Sequence, residues 1–380
     1  MISRLQIAAA LLFAVAIGHA QDDPFAGVAA APVAKEKSTN FWTDNLGFRK
    51  EIMSQFDTTE AGRPASRQSV GFEILKKFST ATSTVAAFDF QARFVRRDRY
   101  NGALNDMDGA GRPGWAFEYH NLYLDLYNVF NPLLGDAARG RNVGRFNFRA
   151  GHFYVPFGLN LQTDTHGTVL QLSNEQNFGY ERDWYTGFYG SINSHLNYDA
   201  YYLAGSGYDL KFKGQSGLAG VRISLGNRYS SAYGLEGGVS VLAGERLAPM
   251  SPVHMDMLRP LKTQRIGMDL RYRHTAPGGL LTFTNELSGG RDARDPVFTQ
   301  LHGAEYLHAS RRWGLASQFR RFHQDGRNAD SSVFGEFTWY FRNDVANSNM
   351  HSIRLNVERK LELSYAQPHT VVTLQYYFYR

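Results

Sequence analysis

The 380-residue chain contains no cysteine. That absence excludes disulfides, lipid attachment at a cysteine, Cys-ligated zinc and covalent haem at a C-x-x-C-H sequence. No cofactor is expected, and any electron-carrying group would have to come from another chain. Long apolar runs are equally scarce: after Ala20 no stretch approaches the roughly 20 residues a helix needs to cross about 30 Å of hydrocarbon, so a bundle of membrane helices is ruled out. Charge of one sign is not in excess either. Against 41 lysines and arginines stand 35 acidic residues, a formal net charge of +6, too mild to argue for nucleic acid as a partner. Hydrophobic residues still make up 43% of the chain, so they must be dispersed in some pattern other than contiguous runs.

The N-terminus has its own logic. Arg4 gives a positive start, Ile7 to Ile17 form an apolar stretch, and Gly18-His19-Ala20 supplies small residues for cleavage; this is the pattern of a secretory signal peptide, too short to span a bilayer. The expected organisation is a signal peptide over 1–20, a flexible Ala/Pro-rich lead-in facing the periplasm over 21–40, and one domain over 41–380.

From about Gln68 onward apolar and polar residues alternate with period two. Phe88, Phe90, Ala92 and Phe94 alternate with Asp89, Gln91 and Arg93; Ile266, Met268, Leu270 and Tyr272 alternate with Arg265, Asp269, Arg271 and Arg273. The charged side recurs in strand after strand, and the stretches approach the 9 to 11 residues of a tilted membrane strand. The fold class expected is therefore all-β, a transmembrane antiparallel barrel closed so that no backbone polar group is left unpaired in hydrocarbon.

Sixteen segments fit, at 45–54, 68–78, 82–97, 114–128, 143–155, 183–192, 195–205, 216–226, 231–243, 262–274, 278–290, 297–309, 311–322, 331–342, 350–361 and 368–379. Their links alternate short and long, with 98–113, 156–182, 206–215 and 244–261 long. Links 129–142 and 343–349 exceed the rule and leave 14 or 18 strands open. Aromatic clusters at Trp184-Tyr185, Trp339-Tyr340-Phe341 and Tyr376-Tyr377-Phe378-Tyr379 sit where strands would cross headgroups. The expected location is the outer membrane, among its lipids and lipopolysaccharide.

With the apolar face toward lipid, the inward basic residues are Arg93, Arg145, Arg149, Arg222, Arg265, Arg271, Arg273, Arg320 and Arg354. The inward carboxylates are Asp89, Asp125, Asp199, Glu236, Asp269, Glu286, Glu336 and Glu358. This heavily charged wall suits a water-filled lumen; the alternative is that the charges are cross-strand ion pairs that stiffen the wall.

The stretch Arg145-Phe-Asn-Phe-Arg-Ala-Gly-His-Phe-Tyr-Val-Pro-Phe-Gly-Leu159 resembles the strand-to-loop element of Gram-negative outer-membrane porins, the phosphate-selective (O/P-type) porins in particular. The resemblance implies a sixteen-stranded homotrimeric barrel whose third loop folds inward to narrow the pore, with passive diffusion of small ions and hydrophilic solutes, anions among them. The loop at 156–182 then carries the constriction candidates Asp164, His166, Glu175 and Glu181, facing the wall candidates Arg93, Arg145, Arg149, Arg265, Arg271, Arg320 and Arg354. Acidic loop against basic wall would set a transverse field across the pore.

Other chemistry is thinly represented. G-x-S-x-G, H-E-x-x-H and P-loop spacings are absent. His302, Glu305 and His308 cannot share a metal on one strand, because 305 points to the opposite face from 302 and 308. Two alternatives to a porin stay open: a barrel sleeve around a periplasmic multihaem cytochrome, and, more remotely, an outer-membrane hydrolase built on a wall Ser/His pair.

Overall fold

The computed structural model describes residues 45–59, 64–79, 84–97, 114–130, 146–159, 169–170, 173–193, 195–208, 210, 216–226, 234–249, 258–324, 329–344, 349–362 and 370–380. The signal peptide and lead-in expected over 1–40 lie outside these residues, as do Arg145, Asp164 and His166.

Sixteen antiparallel strands form one closed ring. In chain order they are β1 (Leu46–Thr59), β2 (Ala65–Ser79), β3 (Thr84–Arg97), β4 (Gly114–Leu126), β5 (Asn147–Tyr154), β6 (Arg182–Ser191), β7 (Leu196–Leu203) and β8 (Gly217–Leu225). There follow β9 (Gly234–Pro249), β10 (Leu258–Ala276), β11 (Gly279–Asp292), β12 (Asp295–His308), β13 (Trp313–Gln324), β14 (Asp330–Asp344), β15 (Asn349–Glu362) and β16 (Thr370–Tyr379). Each strand pairs with its sequence neighbours, and β1 closes the ring on β16 with Glu51 opposite Tyr379 and Thr59 opposite Val371. A short helix, α1 (Ser173–Phe178), lies in the link between β5 and β6. Every expected strand has a counterpart, and the alternatives of 14 or 18 fall away.

Boundaries shift by a few residues in most strands, and most in two places. The first strand runs on to Thr59 instead of stopping at 54, and most of the expected loop at 244–261 is strand: β9 continues to Pro249 and β10 begins at Leu258. There the alternation ends before the strand does. Glu245, Arg246, Arg259 and Lys262 make the sequence polar on both faces, as suits strands that continue beyond the hydrocarbon.

Burial is inverted relative to a water-soluble domain. On β8, Val221 and Ile223 are 45% and 52% exposed while Arg222 between them is 1% exposed; on β10, Ile266 is 57% exposed and Asp269 3%. Such apolar exposure repeated around a closed ring has hydrocarbon as its natural solvent. Among the described residues no helix is long and apolar enough to cross a membrane; the strands do the crossing.

Among the described residues the shortest ladder of the wall joins β4 and β5. The β4–β5 ladder extends only from Leu126–Phe148 to Leu122–His152, because the chain leaves the wall just beyond Tyr154. The stretch of β4 above Leu122 is closed by Tyr208 from the β7–β8 link. Its hydroxyl accepts from the Tyr119 amide at 3.0 Å and donates to the Phe117 carbonyl at 3.1 Å. Its own carbonyl receives the Tyr119 hydroxyl at 2.6 Å and the Trp184 indole N–H at 3.2 Å.

Candidate pore constriction

The long β5–β6 link turns into the barrel at Val155-Pro156-Phe157-Gly158. Gly158 adopts φ +69° and a Cβ there would run into the Glu286 carboxylate, so a side chain is excluded by both conformation and space. The Gly158 amide donates to Ser240 Oγ on β9 at 3.0 Å. Beside it the Phe157 ring occupies a notch in β10 left by Gly267, whose ideal Cβ would fall 2.8 Å from the ring. The link thus crosses from β5 to the wall at β9 and β10.

Helix α1 extends this attachment. Ser173 Oγ donates to Glu286 Oε2 on β11 at 2.5 Å. Asn174 Nδ2 donates to the Val155 and Phe157 carbonyls, each at 3.0 Å, closing the link on itself. Asn177 Oδ1 accepts from Ser288 Oγ of β11 at 2.7 Å and Thr299 Oγ1 of β12 at 2.9 Å. The last carbonyls of the helix, which lack partners within it, meet arginines: Asn177 O accepts from Arg265 Nη2 at 3.2 Å and Phe178 O from Arg246 Nη1 at 2.9 Å. Both arginines also pair with Asp292, at 2.9 and 3.0 Å. Phe157, Phe178 and Tyr180 join Tyr185, Tyr201, Leu203, Leu218 and Leu242 in an apolar cluster on the inner side of β6 to β9.

The described inward arginines are on the inner wall, but most are engaged in the wall itself. Arg93 donates to Glu51 Oε2 at 2.7 Å, across β2 and over Gly71. Arg149 makes a two-pronged pair with Asp125 at 2.6 and 2.8 Å, and its guanidinium lies 3.7 Å from the Phe153 ring centroid. Arg222 pairs with Asp269, Arg320 with Glu358 at 3.2 Å and Ser332 Oγ at 2.9 Å, and Arg354 with Gln375 at 2.9 Å and Glu336 at 3.8 Å. Arg271 and Arg273 share Glu236 at 3.6 and 3.3 Å. Among the described residues, two of the wall candidates, Arg265 and Arg271, donate to backbone carbonyls of the link, Arg271 to Leu159 O at 3.3 Å.

Of the loop candidates, Glu181 stands at the return to β6 and pairs with Arg182 at 3.4 Å. Glu175 is placed on α1 by its backbone, and its side chain lies outside the described residues. Neighbouring Asp183 gathers the β7–β8 link, accepting from the amides of Trp184, Gly205, Ser206 and Gly207 at 2.7 to 3.2 Å. Of the three residues weighed for a metal, His302 hydrogen-bonds Asn285 at 2.9 Å and His308 meets Ser310 at 2.8 Å.

Sequence reasoning missed Arg246, Ser240, Asn174 and Asn177 as anchors. One signal was present: Ser173 followed three residues later by Gln176 has the spacing of a helix N-terminus. The anchors themselves depend on which distant strand faces the link, and period two does not carry that.

No protein-family model matches the chain, and no curated protein does. Solved structures match its fold. A trimer form of OmpT from Vibrio cholerae aligns at TM-score 0.54 with 10% identity over 88% of this chain and 99% of that one. OmpF of Salmonella typhi, in complex with daunomycin, aligns at 0.57 with 9% identity over 88% and 97%. An anion-selective porin from Comamonas acidovorans aligns at 0.52 with 10% identity over 88% and 98%. The sixteen-stranded barrel with an apolar outer belt is thus a porin-like outer-membrane fold.

Proposed function

We propose that the protein is a passive outer-membrane channel, a water-filled barrel narrowed by the β5–β6 link, admitting small ions and hydrophilic solutes with no catalytic step. The observation that carries this reading is the crossing of that link from β5 to β9 through β12, fixed by Ser240, Glu286, Ser288 and Thr299. A loop held there constricts a pore; in a sleeve it would occupy space that an inserted cytochrome needs, so the same observation favours the channel.

Anion preference is the finer part of the proposal. It draws on the run from Gly151 to Gly158 and on the anion-selective porin among the similar folds. It is placed in the link and the rims, because the described wall arginines are largely paired with carboxylates. Association of three copies is proposed by analogy with the trimer form of the Vibrio protein. Purified protein in planar bilayers tests the channel reading: discrete conductance steps are expected, and a barrel that inserts without conducting overturns it.

A further inference from the structure

The outer belt is interrupted on one side of the barrel. On β8 to β10 the outward residues include Val221, Ile223, Val239, Val241, Ile266 and Met268, all exposed. Following the ladder from the middle of the β10 run, Leu270 lies beside Asn285 of β11, Asn285 beside His302 of β12, and His302 beside Phe319 of β13. One row over, Met268 leads through Leu287 to Gln300 and then Arg321. On the other side, Tyr272 leads through Phe283 to Ala304, Ser317 and Gly335. Asn285 of β11 (Gly279–Asp292) and Gln300 and His302 of β12 (Asp295–His308) therefore put polar side chains on the outer face near the middle of their strands, where the apolar belt would be expected to run unbroken.

These groups do not satisfy one another. Asn285 Oδ1 and His302 Nδ1 are 2.9 Å apart, which uses one capacity of each. Ser317 is exposed, and neither it nor the Gln300 amide has a hydrogen-bond partner among the described residues. Hydrocarbon offers such groups nothing, and polar residues at membrane depth are retained where protein or water meets them.

We infer that the outer face of β11 to β13 is a protein contact, and that its occupant is a second copy of this chain. Three features select that occupant. Amide and hydroxyl groups are both donors and acceptors, so a surface built of Asn285, Gln300 and Ser317 complements another of its kind. The one cation in these rows, Arg321, is already matched to Glu362 at 3.3 Å, so no oppositely charged partner is required. The short row Ala304, Ser317, Gly335 keeps the wall flat enough for another wall to approach closely; a Cβ added at Gly335 would meet nothing within 4 Å. Lipopolysaccharide fits less well, since its phosphates lie at the headgroups and not at mid-depth.

The inference rests on the self-association proposed above and specifies the face used. A benzophenone side chain placed at Ser317 and, in a separate variant, at Val221 on the apolar side would be photolysed in intact outer membranes. The expected result is an adduct of twice the chain's mass from position 317, with both crosslinked peptides from this chain, and none from 221. Adducts at 317 solely with lipid or with a different protein overturn the inference. Native mass of the purified wild type separates the two readings: an oligomer with a lipid-labelled position 317 leaves self-association standing and removes this face, whereas a monomer removes both. The Asn285→Leu/Gln300→Leu/His302→Leu variant, which suits lipid, is expected to remain a heat-modifiable barrel while shifting toward monomer. If it stays fully oligomeric, the face is not the contact.

Discussion

Arg222 on β8 and Asp269 on β10 hold each other across the strand between them, Nη2 donating to Oδ1 at 2.6 Å and Nε to Oδ2 at 3.2 Å. The guanidinium reaches past Ser240, its own partner on β9, over Gly238, which pairs with Asp269 and whose ideal Cβ would lie 3.0 Å from it. Arg93 and Glu51 repeat the device over Gly71. A stave-to-stave tie of this kind stiffens the wall in the direction in which neighbouring strands hinge. Asp269→Leu strands a buried charge and is expected to cost about 3–5 kcal/mol, whereas Arg222→Met/Asp269→Leu is expected to recover most of that loss. Urea unfolding of both single variants and the double variant in detergent, read as a double-mutant cycle, checks it; a double-variant loss equal to the sum of the two single losses would show that the tie contributes nothing beyond its parts.

Loosening the link should be audible in single-channel records. Asn177→Ala removes the acceptor of both Ser288 and Thr299 and leaves two buried hydroxyls unmet, about 1–3 kcal/mol for each such group. Larger conductance and more open-state noise are expected than in wild type. Records that match wild type in both respects would mean that Phe157 and the arginines hold the link unaided.

Charge on the link should set ion preference. Glu175→Gln/Glu181→Gln removes two negative charges and releases Arg182 from its partner, so the reversal potential across a salt gradient should move toward anions. The shift should be evident at low salt and fade as the Debye length contracts from about 30 Å at 0.01 M to about 3 Å at 1 M. Identical reversal potentials at low salt would place both residues outside the permeation path.

Strand parity puts the 250–257 and 98–113 links at one end and the 277–278 turn at the other. Because the chain has no cysteine of its own, single cysteines at Ser251, Gly102 and Gly278 give a clean background. Membrane-impermeant maleimide on whole cells should reach the first two and spare the third. The reverse pattern would invert the barrel in the membrane.

Strand number, pairing order and the facing of each side chain were legible because period two is a local signal, and Val221-Arg222-Ile223 reports its own orientation. The rims were not. Glu245 and Arg246 resemble a loop because water bathes both faces there while the backbone ladder continues. The anchors of the β5–β6 link were hidden for a different reason. Gly267 and Phe157 are 110 positions apart, and nothing near either one states that a notch and a ring will meet. The run that resembles a porin element is spent largely on this fit: Phe157 fills the notch and Gly158 passes beneath Ser240.

The seam between β1 and β16 imposes an order in time. It brings Arg49 to the Tyr379 hydroxyl at 3.2 Å, residues 330 apart in sequence, so the cylinder stays open while all the intervening strands wait. Every strand from β2 to β15 can zip onto the strands next to it in sequence, but β1 finds its second partner only after β16 has been delivered. Contacts of such long reach make for slow maturation, and until the seam shuts, two raw edges are available to any other extended chain. Changes in the seam, such as Ser54→Pro opposite Tyr376, would therefore act first on the yield of finished barrels and only secondarily on how those barrels behave.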